Sequence, residues 1–242
     1  MAYISDENEF LFFAAPATGS TAVIEALSKA GIGHYLPSEN LVKDGRLLVP
    51  RKHSTMRELE DHGLLGVERS AYCKVVGVRN PFSFHVAKYL RNTRQRVKQL
   101  ENPRSWINRL PSEARDRASR QLRRQAQMTF EQYLHDLLDR LEQPTAVQAH
   151  FLEGMDFYIH QEDSSADFDR FCELTGTNAA GKLRRVNVSG LMADGKTYRD
   201  FYSSELIDLV YAQNAPSFDR FPEYSFEGFS PSESRYSKHS HP

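Results

Sequence analysis

The stretch from Phe10 to Leu27, FLFFAAPATGSTAVIEAL, constrains the fold more than any other part of the chain. Leu11, Phe12, Phe13 and Ala14 form an unbroken apolar run of strand length, the pattern of a strand buried on both faces of a parallel sheet. Thr18, Gly19, Ser20 and Thr21 then supply a turn of small residues, and Val23, Ile24 and Leu27 recur at helical spacing. A strand that feeds a helix through such a turn aims several backbone N–H groups and the positive end of the helix dipole at one point. That point suits a phosphate or sulfate. A plainer reading makes Ser20 or Thr21 only the helix N-cap. The turn is not a Walker A loop, because the lysine of G-x-x-x-x-G-K-[ST] is missing.

Further strands and helices follow in an order typical of α/β proteins. His34 to Leu36 is a short strand, and Asn40 to Pro50 reads as a loop or hairpin around Asp44-Gly45. After Arg51-Lys52-His53, the run Thr55-Met-Arg-Glu58 fits a capping box for a helix through His62, with Gly63 ending it. Tyr72 to Val78 is a second β-branched strand that stops at Arg79-Asn80-Pro81. Pro81 opens a helix to about Arg96, with Phe82, Val86, Tyr89 and Leu90 as its apolar stripe. Thr129 to Leu141 is an amphipathic helix, Met155 to Ile159 a third inner strand leading to His160-Gln161-Glu162, and Ser165 to Thr175 a helix closed by Gly176. Asn187 to Gly190 reads as a loop, Tyr198 to Tyr211 as a last helix, and Phe218 to Phe226 as an aromatic segment packed across the core. Three strands, each followed by helical segments, predict a parallel sheet whose ligands bind beyond the strands' carboxyl ends. Those ends are Pro16 to Thr21, Arg79, and His160 to Glu162.

Charge and composition narrow the classes of function. A chain of 242 residues with 26% charged residues and a net charge of −1 is ordinary for a globular protein. Between Lys88 and Arg124, however, twelve Lys or Arg face three acids. This run reads as a solvated helical face or as an electropositive surface for an anionic cofactor or acceptor. Only Tyr89 and Trp106 interrupt it as aromatics, which argues against a nucleic-acid partner. Cys73 and Cys172 sit in apolar patterns, as buried thiols of a reducing compartment do, and no metal-ligand cluster is visible. With no basic, apolar leader and no run of ~18 apolar residues, the expectation is a cytoplasmic protein without a membrane partner. The polar Ser- and His-rich stretch 229–242 reads as a flexible tail.

Taken together these landmarks resemble the P-loop-like sulfotransferases that use 3′-phosphoadenosine 5′-phosphosulfate (PAPS), especially the group containing carbohydrate sulfotransferases. The likeness runs from about Phe10 to Phe226. PATGST at 16–21 is similar to the family's P-K-T-G-[GST]-[ST] loop, and Arg79-Asn80-Pro81 to its R-[DN]-P motif. MDFYIHQEDSSADF resembles the segment D-F-I-x-R-x-E-N-L-x-x-D-F, and a late pattern of Tyr198, Phe201, Tyr202, Leu206, Val210 and Tyr211 precedes Phe218 and Tyr224-Ser225-Phe226. The resemblance implies a single α/β domain over 1–228, a three-layer parallel sheet flanked by helices, with 88–128 as a basic helical insertion or lid. It implies PAPS as sulfuryl donor, PAP as product, no metal, and a small-molecule or carbohydrate acceptor. Pro16, Ala17, Thr18, Gly19, Ser20 and Thr21 would hold the 5′-phosphosulfate and Arg79 the 3′-phosphate.

Two positions depart from that pattern. Ala17 stands where the family loop has a lysine, and Ala87 where the family has a serine eight residues after the motif arginine. Arg51 or Lys52 is the candidate replacement for the lysine, and Ser83, one helical turn before Ala87, for the serine. His53 is the candidate base, with Glu58 and Glu162 behind it. His85 and His160 read as structural or lining residues. The rival expectation is a PAP- or PAPS-binding protein that does not turn over.

Overall fold

Pairing of the first two strands starts the central sheet. The computed structural model describes residues 2–44, 46–105, 107–138, 148–184 and 195–230. Two compact units make up the chain: residues 1–80, 147–187 and 223–242, and residues 81–146 and 188–222. The basic segment 88–128 belongs to the second.

In the first unit, β1 (Ala2–Ser5) and β2 (Phe10–Phe13) form an antiparallel hairpin with Ala2 opposite Phe13 and Ser5 opposite Phe10. Helix α1 (Ser20–Lys29) follows, with Val23, Ile24, Ala26 and Leu27 buried. Next, β3 (His34–Leu36) pairs antiparallel with β1. Gly33 allows this close approach, since a Cβ there would lie 2.5 Å from the Ile4 carbonyl oxygen. The expected hairpin is present as β4 (Leu41–Lys43) and β5 (Arg46–Val49). Helix α2 (Met56–Asp61) opens with the full capping box: the Thr55 hydroxyl accepts from the Glu58 N–H and the Glu58 carboxylate accepts from the Thr55 N–H. Then β6 (Cys73–Val78) runs parallel to β2, with Phe10 opposite Cys73.

The second unit begins with α3 (Pro81–Leu90), which the sequence predicts as one helix to Arg96. Instead, Arg91–Arg96 is π-helical before α4 (Val97–Gln99) resumes α-geometry. Asn92, buried within the wide turn, donates to Gln125 Oε1 at 3.2 Å and to the Tyr133 hydroxyl at 3.3 Å. Those partners lie on α5 (Ser112–Ala126) and α6 (Phe130–Leu138). An ordinary α-turn would swing Asn92 by a fraction of a turn away from them.

Back in the first unit, β7 (Phe157–His160) runs parallel to β6 and leads to α7 (Ser164–Thr175), which Gly176 ends in the left-handed conformation. In the second unit the expected helix from Tyr198 to Tyr211 is broken. A 3₁₀ turn at Tyr198–Phe201 gives way to extended Tyr202, and α8 (Ser204–Gln213) restarts because the Ser203 hydroxyl accepts from the Leu206 N–H. Helix α9 (Ala215–Arg220) follows. The chain then re-enters the first unit as the hairpin β8 (Tyr224–Ser225) and β9 (Gly228–Phe229), so Phe229 is paired strand rather than tail. The loop expected at Asn187 to Gly190 lies outside the described residues.

The fold is therefore α/β, with a five-stranded, mostly parallel sheet in the order β3-β1-β2-β6-β7 flanked by helices. The wholly parallel sheet expected from the sequence is corrected by β1. That strand returns through a short turn beside β2 and can only pair antiparallel to it. On one face of the sheet Phe10, Phe12, Val75, Phe157 and Ile159 pack with Val23, Ile24 and Leu27 of α1 and with Phe168, Phe171 and Cys172 of α7. The rings of Phe10 and Phe171 meet edge to face with centroids 5.1 Å apart. Both cysteines are free thiols, and burial beside Asp156 pushes that of Cys73 up to about 11. Replacing Phe171 by Ala is expected to lower unfolding free energy by about 3–5 kcal/mol, measured by urea denaturation. A loss under about 1 kcal/mol would show that this ring is not central to the core.

Candidate functional site

The turn between β2 and α1 is held from inside. The Thr18 hydroxyl donates to the Ala15 carbonyl at 2.9 Å, the Ser20 hydroxyl donates to the same oxygen at 3.1 Å, and the two hydroxyls lie 2.6 Å apart. Thr18 and Ser20 are buried as a result, while Gly19 and Thr21 face out. Neither Ser20 nor Thr21 is the helix N-cap. Gly19 takes that place, in the left-handed region at φ 80° and with no side-chain cap. Room for the buried hydroxyls comes from β6, where a Cβ on Gly77 would lie 2.6 Å from Thr18 Oγ1. The lone glycine in YCKVVGV is a signal of close approach that the sequence reading passed over.

What the turn presents outward is backbone. The N–H groups of Thr18, Gly19, Ser20 and Thr21 donate to no described group. With the dipole of the ten-residue α1 behind them, four such donors in sequence are an arrangement chemically suited to an anion. Ala17 also adopts a left-handed backbone at φ 63°, and so does His53 at φ 64°. Such strain in non-glycine residues costs about 1–2 kcal/mol each and gathers where the surroundings impose it.

Two side chains converge on this turn. Arg79, one residue beyond the end of β6, donates from Nη1 to the Ala17 carbonyl at 3.1 Å. His53 lies on the other flank, with Nδ1 2.8 Å from the Ala14 carbonyl oxygen. A carbonyl only accepts, so the proton resides on Nδ1 and the basic lone pair of the neutral ring is on Nε2. Of its neighbours, the Arg51 guanidinium sits 4.3 Å from the Tyr35 ring centroid, and the Arg51 N–H donates to Asn40 Oδ1 at 2.7 Å. Lys52 is exposed. Ser83 is buried in the first turn of α3, within the second unit, and Ala87 is buried on the same helix.

The other candidate bases are engaged elsewhere. Glu58 closes the α2 capping box. Glu162 accepts from the Asn80 N–H at 3.0 Å and from the Tyr224 hydroxyl at 3.2 Å, joining the end of β6 to the C-terminal hairpin. Burial, and then the Glu162 charge, hold the Tyr224 phenol well above its ordinary pKa, so it stays a donor. His85 is buried, and desolvation with a smaller contribution from Lys88 pushes its imidazole down to about 3. His160 lies between two carboxylates, Nδ1 at 2.8 Å from Asp167 Oδ2 and Nε2 at 2.9 Å from Glu223 Oε1. Burial alone would depress its pKa, but the hydrogen bonds and charges of Asp167 and Glu223 raise it above the ordinary value. His160 thus ties β7 to α7 through Asp167 and meets Glu223 at the approach to β8. Neither carboxylate partner was legible as such: Asp167 lies on the next helix and Glu223 far along the chain, and the pairing exists only in the fold.

Among the described residues, no group of three or more His, Cys, Asp or Glu side chains could hold a metal ion, and no helix is long and apolar enough to cross a membrane. No family model, curated protein or solved structure matches the chain.

Two outcomes test this geometry. Gly77→Ala is expected to cost about 1–3 kcal/mol of stability through overpacking against Thr18, and adding Thr18→Ala should recover part of that loss in urea unfolding. Equal losses in the single and double variants would contradict the contact. His160 has a folded pKa above its unfolded value of about 6.5, so its contribution is complete below that value and fades as pH rises through the folded one. His160→Gln should therefore destabilise by about 3–5 kcal/mol near pH 6, and the gap to wild type should narrow toward pH 9. A gap independent of pH would mean the imidazole is neutral.

Proposed function

We propose that the protein transfers a sulfuryl group from PAPS to a hydroxyl or amine of a small-molecule or carbohydrate acceptor, releasing PAP. One observation carries this reading: four backbone N–H groups at Thr18 to Thr21 with no partner among the described residues, beside the Arg79 guanidinium and the His53 imidazole at the same turn. The resemblance of PATGST, Arg79-Asn80-Pro81 and the segment after β7 to the PAPS-dependent family supports it, and the mostly parallel sheet is compatible with the family's P-loop-like fold.

In this scheme the N–H groups of the turn hold the 5′-phosphosulfate. Arg79 pairs with a phosphate of the donor, since guanidinium binds phosphate in a two-pronged fork. His53 Nε2 takes the acceptor proton as the acceptor oxygen or nitrogen attacks sulfur in line. The sulfur–oxygen bond to the 5′-phosphate breaks, and PAP carries away the electron pair. Negative charge grows on that bridging oxygen, so donors fixed there lower the barrier most. Ala17 supplies no cation at that point. Arg51 is occupied with Tyr35, so Lys52 is the residue we assign to the missing charge.

Ala17 also favours a second reading, in which the chain binds PAP or PAPS without transferring sulfate. Labelled PAPS offered with a broad acceptor panel separates the two. Transfer to any acceptor supports the enzyme, and His53→Ala should then lower kcat roughly 10²- to 10⁴-fold with PAP affinity retained. Lys52→Met should lower kcat by roughly 10²-fold, in the range for loss of one transition-state donor, and Ala17→Lys should restore it. PAP binding with no transfer by wild type or by Ala17→Lys would favour the binding protein. Absence of PAP binding would remove both.

A further inference from the structure

A side chain that the sequence reading did not name reaches the end of β6. Gln148 opens a 3₁₀ turn at Ala149–Phe151, and its carbonyl accepts from the Phe151 N–H at 2.8 Å, which pins its backbone. Sixty-nine residues separate it from Arg79, yet in the first unit its side chain lies against that residue, where Oε1 accepts from the Arg79 N–H at 3.4 Å. This contact sets the orientation of the amide. Turned end for end, it would place an NH2 group against an N–H, donor against donor. Nε2 is therefore the end directed away from the Arg79 N–H, and Nε2 only donates.

That donor is buried without an acceptor. Gln148 is 6% exposed, and its Nε2 has no hydrogen-bond partner among the described residues. A buried amide N–H left unpaired opposes folding, so native proteins keep few of them and each has a cause. The neighbouring groups show what kind of partner would complete it. Arg79 sends its guanidinium to the Ala17 carbonyl, and the N–H groups of Thr18 to Thr21 donate to no described group. The nearest carboxylate along the chain from Arg79 in space, Glu162, accepts from the Asn80 N–H and the Tyr224 hydroxyl. A donor set among donors takes its acceptor from outside the chain, and an oxyanion satisfies several donors at once.

We propose that Gln148 is a ligand-binding residue whose Nε2 donates to an oxyanion engaged at the same time by Arg79. On the sulfotransferase reading, on which the identity of the ligand rests, that oxyanion is the 3′-phosphate of PAPS and of the product PAP. The backbone of Arg79 holds the amide oxygen while its guanidinium reaches the turn, so one residue sets both donors. Gln148 adds direction to the site without adding charge.

Calorimetry on the full-length protein, with PAP and adenosine 5′-phosphate as probes, tests the assignment. Gln148→Met removes the donor and should weaken PAP binding roughly tenfold or more, the range for a hydrogen bond to a charged group. Adenosine 5′-phosphate should bind that variant as it binds wild type. Gln148→Glu keeps an acceptor for the Arg79 N–H and should show the same selective loss, so the assignment is decided even if one variant does not fold. No charge leaves the site in Gln148→Met, so the salt dependence of PAP binding should match wild type, whereas Arg79→Gln should flatten it. A flattened salt dependence in Gln148→Met would show that the amide acts only by positioning Arg79, and would overturn the direct role. Unchanged PAP affinity, or an equal loss for both nucleotides, would overturn it as well. If PAP does not bind wild type, the transferase reading falls and inorganic sulfate decides the residue. A rise in Tm with sulfate that Gln148→Met loses upholds the oxyanion donor; a rise of the same size in both proteins, or in neither, overturns it.

Discussion

The carbonyl oxygen of Ala15 is the point on which the candidate site depends. Two hydroxyls, from Thr18 and Ser20, converge on it and pull the turn after β2 into a tight coil. Once both side chains are spent inward, the backbone N–H groups of the turn keep no partner among the described residues, and α1 sets its dipole behind them. This inward closure needs space on the neighbouring strand, and Gly77 leaves it. A methyl group at that one position would push against the turn, so the shape of the nest is decided by a residue of the sheet.

The strand order delivers the remaining pieces. Because β6 lies parallel to β2, its carboxyl end emerges beside the turn and places Arg79 within reach of the Ala17 carbonyl. Because β7 lies parallel to β6, Glu162 follows directly and fixes the Asn80 backbone. The His160 ring, between Asp167 and Glu223, anchors that same end. Glu162, His160 and Arg79 are thereby committed to holding the scaffold or to Ala17. The scaffold spends its carboxylates on rigidity, which suits a site that must hold an anion without repelling it.

Much of this was legible in the chain. The buried strands read as continuous apolar runs, Phe10 to Phe13 and Val75 to Val78, because both faces are covered and no alternation dilutes the signal. The α2 capping box and the Asp44 hairpin were readable because each is decided within a few residues. Strand β1 was not, since Ala2 to Ser5 is too short to show a period and gains its stability wholly from pairing with β2 and β3. The restart of α8 at Ser203 left a readable cap that the apolar spacing obscured. The π-helical turn had no local signature at all: Asn92 is drawn inward by Gln125 and Tyr133, whose positions only the folded unit defines. The site divides the same way. Pro16 to Thr21, Arg79 and His53 were named from local pattern, whereas Gly77 and the carboxylate partners of His160 emerged from packing.

The central claim is that the turn and Arg79 together recognise a nucleotide carrying phosphates at both the 3′ and 5′ positions. Calorimetry comparing PAP with adenosine 5′-phosphate tests it most directly. The account predicts that PAP binds roughly 100-fold more tightly, as a charge-assisted pair with Arg79 would give, and that Arg79→Gln removes most of the difference. Equal affinities for the two nucleotides, or a preference untouched by Arg79→Gln, would contradict it.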